Sequence, residues 1–127
     1  MEENIRKNAE LVLIEMQKIS DIDFGYNIES VAWLDGYVER QRVRSDMDQG
    51  FIERLVDVLG SYLGECIIKC YGGYWNLDEG QWRVCFNSAN CVYPFNKMRK
   101  QFEHGAGDSI KSLFNSIPLV FAAHIHL

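Results

Sequence analysis

The segment Leu59 to Trp75, LGSYLGECIIKCYGGYW, constrains the fold of this chain more than any other. Leu59, Tyr62, Leu63, Cys66, Ile67 and Cys70 recur at helical spacing and make a wide apolar stripe, as expected of a central, buried helix. Gly72 and Gly73 then stop it, because glycine takes the left-handed backbone of a helix end without steric cost. The alternation around Trp75 and Leu77 that follows is a strand pattern. Gly60 and Gly64 lie one turn apart, where each would cost about 1 kcal/mol in a helix interior. In return they leave a smooth groove that another helix or a sheet can approach closely.

Elements on either side follow from the same periodicities. Residues 3–19 predict a first helix, with Ile5, Ala9, Val12 or Leu13, Met16 and Ile19 inward. Asp21 to Tyr26 is a turn, and Asn27 is the expected cap of a second helix reaching about Gln41, with Val31, Leu34, Tyr37 and Val38 on its apolar side. Asp46 with Gln49 three residues later has the form of a capping box for the central helix, whose stripe begins at Phe51, Leu55 and Val58. After the central helix, Trp75 and Leu77 alternate with polar neighbours, as do Trp82, Val84 and Phe86. Asp78-Glu79-Gly80 suits a three-residue turn between them. Asn87 to Asn90 predicts a second turn and Cys91 to Tyr93 a third strand, stopped by Pro94. A helix with Phe95, Met98 and Phe102 inward should end near Gly105. Asp108 should cap another, with Ile110, Leu113, Phe114 and Ile117 inside and Pro118 breaking it. The tail LVFAAHIHL fits either a strand or a docked terminal segment. The expected fold class is α+β: N-terminal helices, a small three-stranded antiparallel meander, and C-terminal helices, in a single domain over 1–127.

With 47% hydrophobic and 24% charged residues, the 127-residue chain has enough apolar material for a core without a metal or disulfides. No signal-peptide pattern opens it and no run long enough for a membrane span occurs, which together give a cytoplasmic expectation. Cys66, Cys70, Cys85 and Cys91 are then read as small apolar thiols in a reducing cell. The net charge of −5 is unevenly spread. Residues 1–39 carry nine acids and three bases, 45–79 seven acids and two bases, and 80–127 two acids and five bases. An acidic excess of this kind argues against nucleic acid as the partner, since duplex binding needs a basic face. Arg40, Arg42 and Arg44 read as a solvated helix end.

Candidate chemistry is sparse. No nucleophile elbow, zinc-protease motif or phosphate-binding loop is present, and Gly60 to Gly64 lies within helical periodicity and lacks the lysine of such a loop. The cysteines do not show the spacing of a zinc site, so neither metal nor cofactor is expected. His104 suits a helix C-terminus, where an imidazolium complements the dipole. His124 and His126 would share a face on a strand, but without a third ligand they are read as packing or surface decoration. Cys66 and Cys70 lie on the buried stripe and are read as core. Glu65 needs a partner if it is buried: an arginine such as Arg83 or Arg40, a tyrosine hydroxyl, or backbone N–H groups. Its simplest role is to lock helix to sheet; as a general base it would sit in a candidate pocket with Tyr62, Trp75 and Trp82. Core filling is the first reading of Trp33, Trp75 and Trp82, and interface anchoring the second. Asp46, Asp48, Asp78 and Glu79, like Asp35 and Glu39, are ordinary solvated acids unless a basic partner exists.

The run LGSYLGECIIKCYGGYW, followed by Trp82-Arg83-Val84, by Val92-Tyr93-Pro94-Phe95 with Lys97, and by Gly107-Asp108-Ser109-Ile110 with Phe114, resembles a small bacterial domain family of unknown function. Its pattern is an LGxYLGE helix, a GGxW strand and a late DSI helix, over about residues 59–117. What the resemblance implies is fold rather than activity, with Gly60, Gly64, Glu65, Gly73, Trp75, Trp82 and Asp108 at the family's signature positions.

Small size, acidity and the lack of a catalytic set point to a non-enzymatic protein-binding domain. The expected class is an immunity protein that neutralises a bacterial toxin, a nuclease among the candidates, with Asp46, Asp48, Asp78, Glu79, Trp75 and Trp82 meeting the partner. The alternative is a small-ligand protein or enzyme using the Trp/Glu pocket. A scaffold module with an apolar patch at the C-terminal tail is the third.

Overall fold

A computed structural model describes residues 2–122. Three helices, α1 (Glu2–Ile19), α2 (Ile28–Arg42) and α3 (Gln49–Tyr71), precede a meander of β1 (Tyr74–Asp78), β2 (Gln81–Asn87) and β3 (Asn90–Val92). Helix α4 (Pro94–His104), a short 3-10 turn (Gly105–Asp108) and α5 (Ile110–Val120) follow. The sheet is antiparallel in the order β1-β2-β3. The fold is therefore α+β, with the elements in the expected order.

Helix α3 is the axis of the molecule and packs against α1, α4, α5 and β2. Its residues from Leu59 to Ile67 are all buried, glycines included. The two glycines perform the task their spacing suggested, on two different elements. A Cβ on Gly60 would stand 2.5 Å from the Phe95 ring of α4, and one on Gly64 would stand 2.0 Å from the Trp75 ring of β1. Helix α3 thus receives one large aromatic from each neighbour, one turn apart. Gly72 and Gly73 have φ of 84° and 104°, and turn the chain from α3 into β1.

Caps fix the helix starts. Asn27 Oδ1 accepts the Ser30 N–H at 2.8 Å and opens α2, as expected. The loop before it is held by the Tyr62 hydroxyl, which donates to the Gly25 carbonyl at 2.6 Å. That loop also buries Phe24, whose ring meets Tyr62 at 5.2 Å. At α3 the cap is Asp48, accepting from Phe51 N at 2.7 Å, and not Asp46. Asp46 is drawn away by Arg44, whose Nε and Nη2 reach its two oxygens at 2.9 and 2.7 Å. Ser109, not Asp108, caps α5, while Asp108 faces Lys97 at 3.5 Å.

Asp78 pairs with Gln81, so the first turn has two residues, Glu79 and Gly80. Their φ of 49° and 79° fit the mirror-image turn that matches strand twist. The third strand is Asn90–Val92, and Pro94 opens α4 instead of only stopping a strand. A proline there is favoured because the first helical N–H has no intrahelical partner. Pro118 lies inside α5, near its end, where it removes one hydrogen bond and does not break the helix. Ile19, Phe51 and Leu77, expected inward, are exposed. Arg42 is no solvated end: its Nε donates to the Phe102 carbonyl at 3.2 Å and ties α2 to the end of α4.

Asp35, expected on the surface, joins three helices. Its carboxylate accepts from Ser109 Oγ, from Lys111 N at 3.0 Å and from Gln101 Nε2 at 3.2 Å. Gln101 also donates to Glu39 at 3.1 Å and accepts from Ile110 N at 2.8 Å. A negative charge is thereby placed at the N-terminus of α5, where the helix dipole favours it. Among the described residues, no buried side-chain polar atom lacks a partner. No described helix is long and apolar enough to cross a membrane.

Candidate functional site

A cleft of about 250 Å³ lies where the hairpin, α3 and α4 meet. Trp82 from β2, Tyr93 and Phe95 from the start of α4, and Asp57 from α3 line it, with Arg99, Asn96, Gln81 and Gly80. Each wall is fixed by packing behind it. Trp82 stands edge-on to the buried Trp75, with ring centroids 6.4 Å apart, and Phe95 rests on the same ring at 5.8 Å. Tyr93 receives a hydrogen bond from Arg83 Nη1 at 3.2 Å, and the Arg83 Nε donates to Asn76 at 3.0 Å. Arg99 is clamped by Glu53 through two bonds of 3.2 and 3.0 Å. The guanidinium holds the Glu53 carboxyl below its ordinary range. Arg99 therefore presents a cation whose charge is already spent on Glu53. Among the described residues, Asp57 and Glu79 make no ion pair within 4.0 Å, although the Asp57 charge is felt by Arg99.

The four-residue pocket expected around Glu65 does not form as one site. Glu65 is buried, and its partner is neither arginine nor tyrosine: Trp75 Nε1 donates to its Oε2 at 2.7 Å. This bond ties α3 to β1, which is the locking role read from the sequence. A smaller hollow of about 220 Å³ touches Glu65, with Glu2, Arg6, Ile68, Gly73, Tyr74 and Trp75 around it. Tyr62 is fully buried and spends its hydroxyl on Gly25, away from Glu65. Trp82 faces the other cleft. Trp75, only 7% exposed, is a core residue and offers little surface to a partner.

The four candidate acids are all exposed, but they divide into two places. Asp78 and Glu79 are at the hairpin tip, beside the cleft-lining Gly80, with Asp78 3.6 Å from Arg83. Asp46 and Asp48 are at the start of α3, with Asp48 occupied as its cap. Nine residues of helix, roughly 14 Å and two and a half turns, separate Asp48 from Asp57, so the two groups do not converge. The residues that sequence reasoning missed are Asp57, Tyr93, Asn96 and Arg99. The Glu53/Asp57 spacing marks one helix face, but nothing local pairs that face with Arg99, 46 positions from Glu53.

Cysteine chemistry also differs from expectation. Cys85 and Cys91, opposed on β2 and β3, form a disulfide, so they are not simple apolar thiols. Cys66 and Cys70 are free. Both are thiols that donate to the backbone of the loop before α2, Cys70 to the Tyr26 carbonyl at 3.4 Å and Cys66 to the Asn27 carbonyl at 4.0 Å. Their proximity lowers Cys70 against the effect of burial, while the same contact and burial push Cys66 up. His104 is the last residue of α4, as its capping role required, and lies 3.6 Å from Glu103. His124 and His126 lie outside the described residues, as does most of the C-terminal tail. Its described part is residues 119–122: Leu119 and Val120 continue α5 and are exposed, while the Phe121 ring packs against Phe86 of β2 at 5.2 Å. Among the described residues no group of three His, Cys, Asp or Glu is placed to hold a metal ion. No family model matches this chain, and no curated protein or solved structure matches it either.

Proposed function

We propose that this chain is a non-catalytic binding protein that engages a basic protein partner around the cleft between the hairpin and helices α3 and α4. The partner class we favour is a toxin passed between bacteria, which this chain neutralises by covering its active surface. One observation carries the reading: an aromatic-walled cleft of about 250 Å³ with two exposed acids, Asp57 and Glu79, at its lining and rim. Trp, Tyr and Arg are the side chains over-represented at interface centres, and Trp82, Tyr93 and Arg99 supply them here. An acidic rim attracts a basic partner and speeds its encounter. Small-molecule sites typically occupy about 300–1,000 Å³, so the cleft is on the small side for a cofactor and well suited to one inserted side chain. That volume favours a protein partner over a small ligand.

The test is co-expression with the product of the adjacent gene in a test bacterium. Growth arrest relieved by this chain, with a complex recovered on purification, is the expected result. No toxicity and no complex would remove the toxin assignment.

A further inference from the structure

We infer that the cleft is a socket for a single arginine side chain of the protein partner. The inference rests on the binding reading above and specifies the chemistry of the contact. Three observations converge on a planar cation. The first is shape: Trp82, Tyr93 and Phe95 supply aromatic walls in a volume of about 250 Å³. A guanidinium stacks on such rings as well as being attracted by their faces. The second is charge. Arg99, the only cation in the lining among the described residues, is offset by its two bonds to Glu53. Arg83 at the hairpin is likewise offset by Asp78 at 3.6 Å. Asp57 in the lining also acts on Arg99, so the sign of the site is the balance of the group: Glu53, Asp57, Asp78 and Glu79 against Arg99 and Arg83 leave an acidic excess, which rejects an anion and accepts a cation.

The third is rigidity. Trp82 and Phe95 both lean on Trp75, which is itself anchored to Glu65 at 2.7 Å, and Tyr93 is bonded to Arg83. Walls fixed before binding lose little freedom when the side chain enters. Asp57 accepts the guanidinium N–H groups, and the amide oxygens of Gln81 and Asn96 are the further acceptors in the lining. Lysine would gain the charge contact but not the planar stacking or the multiple hydrogen bonds.

The experiment titrates N-acetyl-arginine amide into the isotope-labelled chain and follows the tryptophan indole N–H signals, with the Trp82 signal identified by its loss in Trp82→Phe. The expected result is a saturable shift of the Trp82 signal with half-saturation in the region of 1 mM, the order anticipated for one side chain. The Trp75 signal, bonded to Glu65, should stay in place. N-acetyl-citrulline amide, neutral and of the same shape, should leave Trp82 unmoved, and Asp57→Asn should weaken arginine at least fivefold. A Trp82 shift of equal size with citrulline, no saturable shift with arginine, or undiminished binding by Asp57→Asn would each overturn the socket. N-acetyl-lysine amide binding as tightly as arginine would overturn the arginine assignment. The titration uses this chain alone, so its failure leaves toxin neutralisation standing. Failure of the co-expression test, in turn, leaves a saturable arginine signal intact.

Discussion

Trp75 and Trp82 occupy one face of one hairpin, with their rings 6.4 Å apart, yet their surroundings are opposite. Trp75 is pressed into the space left by Gly64 and gives its N–H to buried Glu65. Trp82 is half-buried and turns its outer surface to the cleft. The difference lies in what stands across from each ring. Helix α3 offers a glycine to Trp75, so the ring can approach until it is almost wholly buried. Trp82 has Asp57, Arg99 and solvent before it, so its ring stays partly open. One aromatic pair thus contains a structural joint and a recognition surface, and the joint keeps the surface in position.

The sharpest way to break this contrast is to truncate each ring. Trp75→Ala should cost about 5 kcal/mol, because it opens a cavity and strands the Glu65 carboxylate. Trp82→Ala should cost only about 1 kcal/mol, since the half-buried ring loses less burial. Urea unfolding of the two variants measures both; equal losses would erase the distinction. Gly64→Ala attacks the joint from the other side. Its Cβ would meet the Trp75 ring at 2.0 Å, and overpacking of this order should cost about 3 kcal/mol. A neutral or stabilising Gly64→Ala would show that the joint is not tightly packed.

The next effect belongs to the recognition side. The disulfide from Cys85 to Cys91 closes a short loop on the strand pair that carries Trp82. Replacing both cysteines by alanine should lower stability by about 2 kcal/mol while the Trp75 indole signal keeps its position. A moved Trp75 signal would mean that joint and surface are not separable. The smallest effect concerns Arg99. Its bond holds Glu53 below the ordinary pKa of 4.5, so the pair contributes fully above that value. The contribution is lost as pH falls through the lower folded value. Glu53→Gln should therefore flatten the fall of melting temperature in that window slightly, and an unchanged profile would mean the clamp is idle.

Much of the joint was legible in the sequence, because its signals are local. The apolar stripe of α3, the Gly60/Gly64 spacing, the Gly72-Gly73 stop and the Trp75 alternation all lie within a short stretch. Asn27 was legible as a cap for the same reason. Asp46 and Asp48 were not separable, since both are acids at capping distance from the helix. A competing arginine, Arg44, decided between them. The recognition side depends on approach between distant segments. Asp57, Trp82 and Arg99 meet only because Phe95 fits over Gly60 and sets α4 along α3. The disulfide was hidden by register. A turn at Asn87 to Asn90 without irregularity places Cys85 opposite Val92; a shift between Cys85 and Asn87 moves it opposite Cys91. Periodicity carries no signal for such a bulge.

The most direct measurement is a calorimetric titration of the purified product of the adjacent gene into three forms of this chain: the natural sequence, Asp57→Lys and Asp46→Lys. Both substitutions make the same charge change on an exposed residue, but only Asp57 lines the cleft. Binding by the natural chain, at least tenfold weaker binding by Asp57→Lys and nearly unchanged binding by Asp46→Lys are expected, with all three still folded. Equal weakening by both lysines, or none by Asp57→Lys, would contradict the claim that the cleft is where this protein meets its partner.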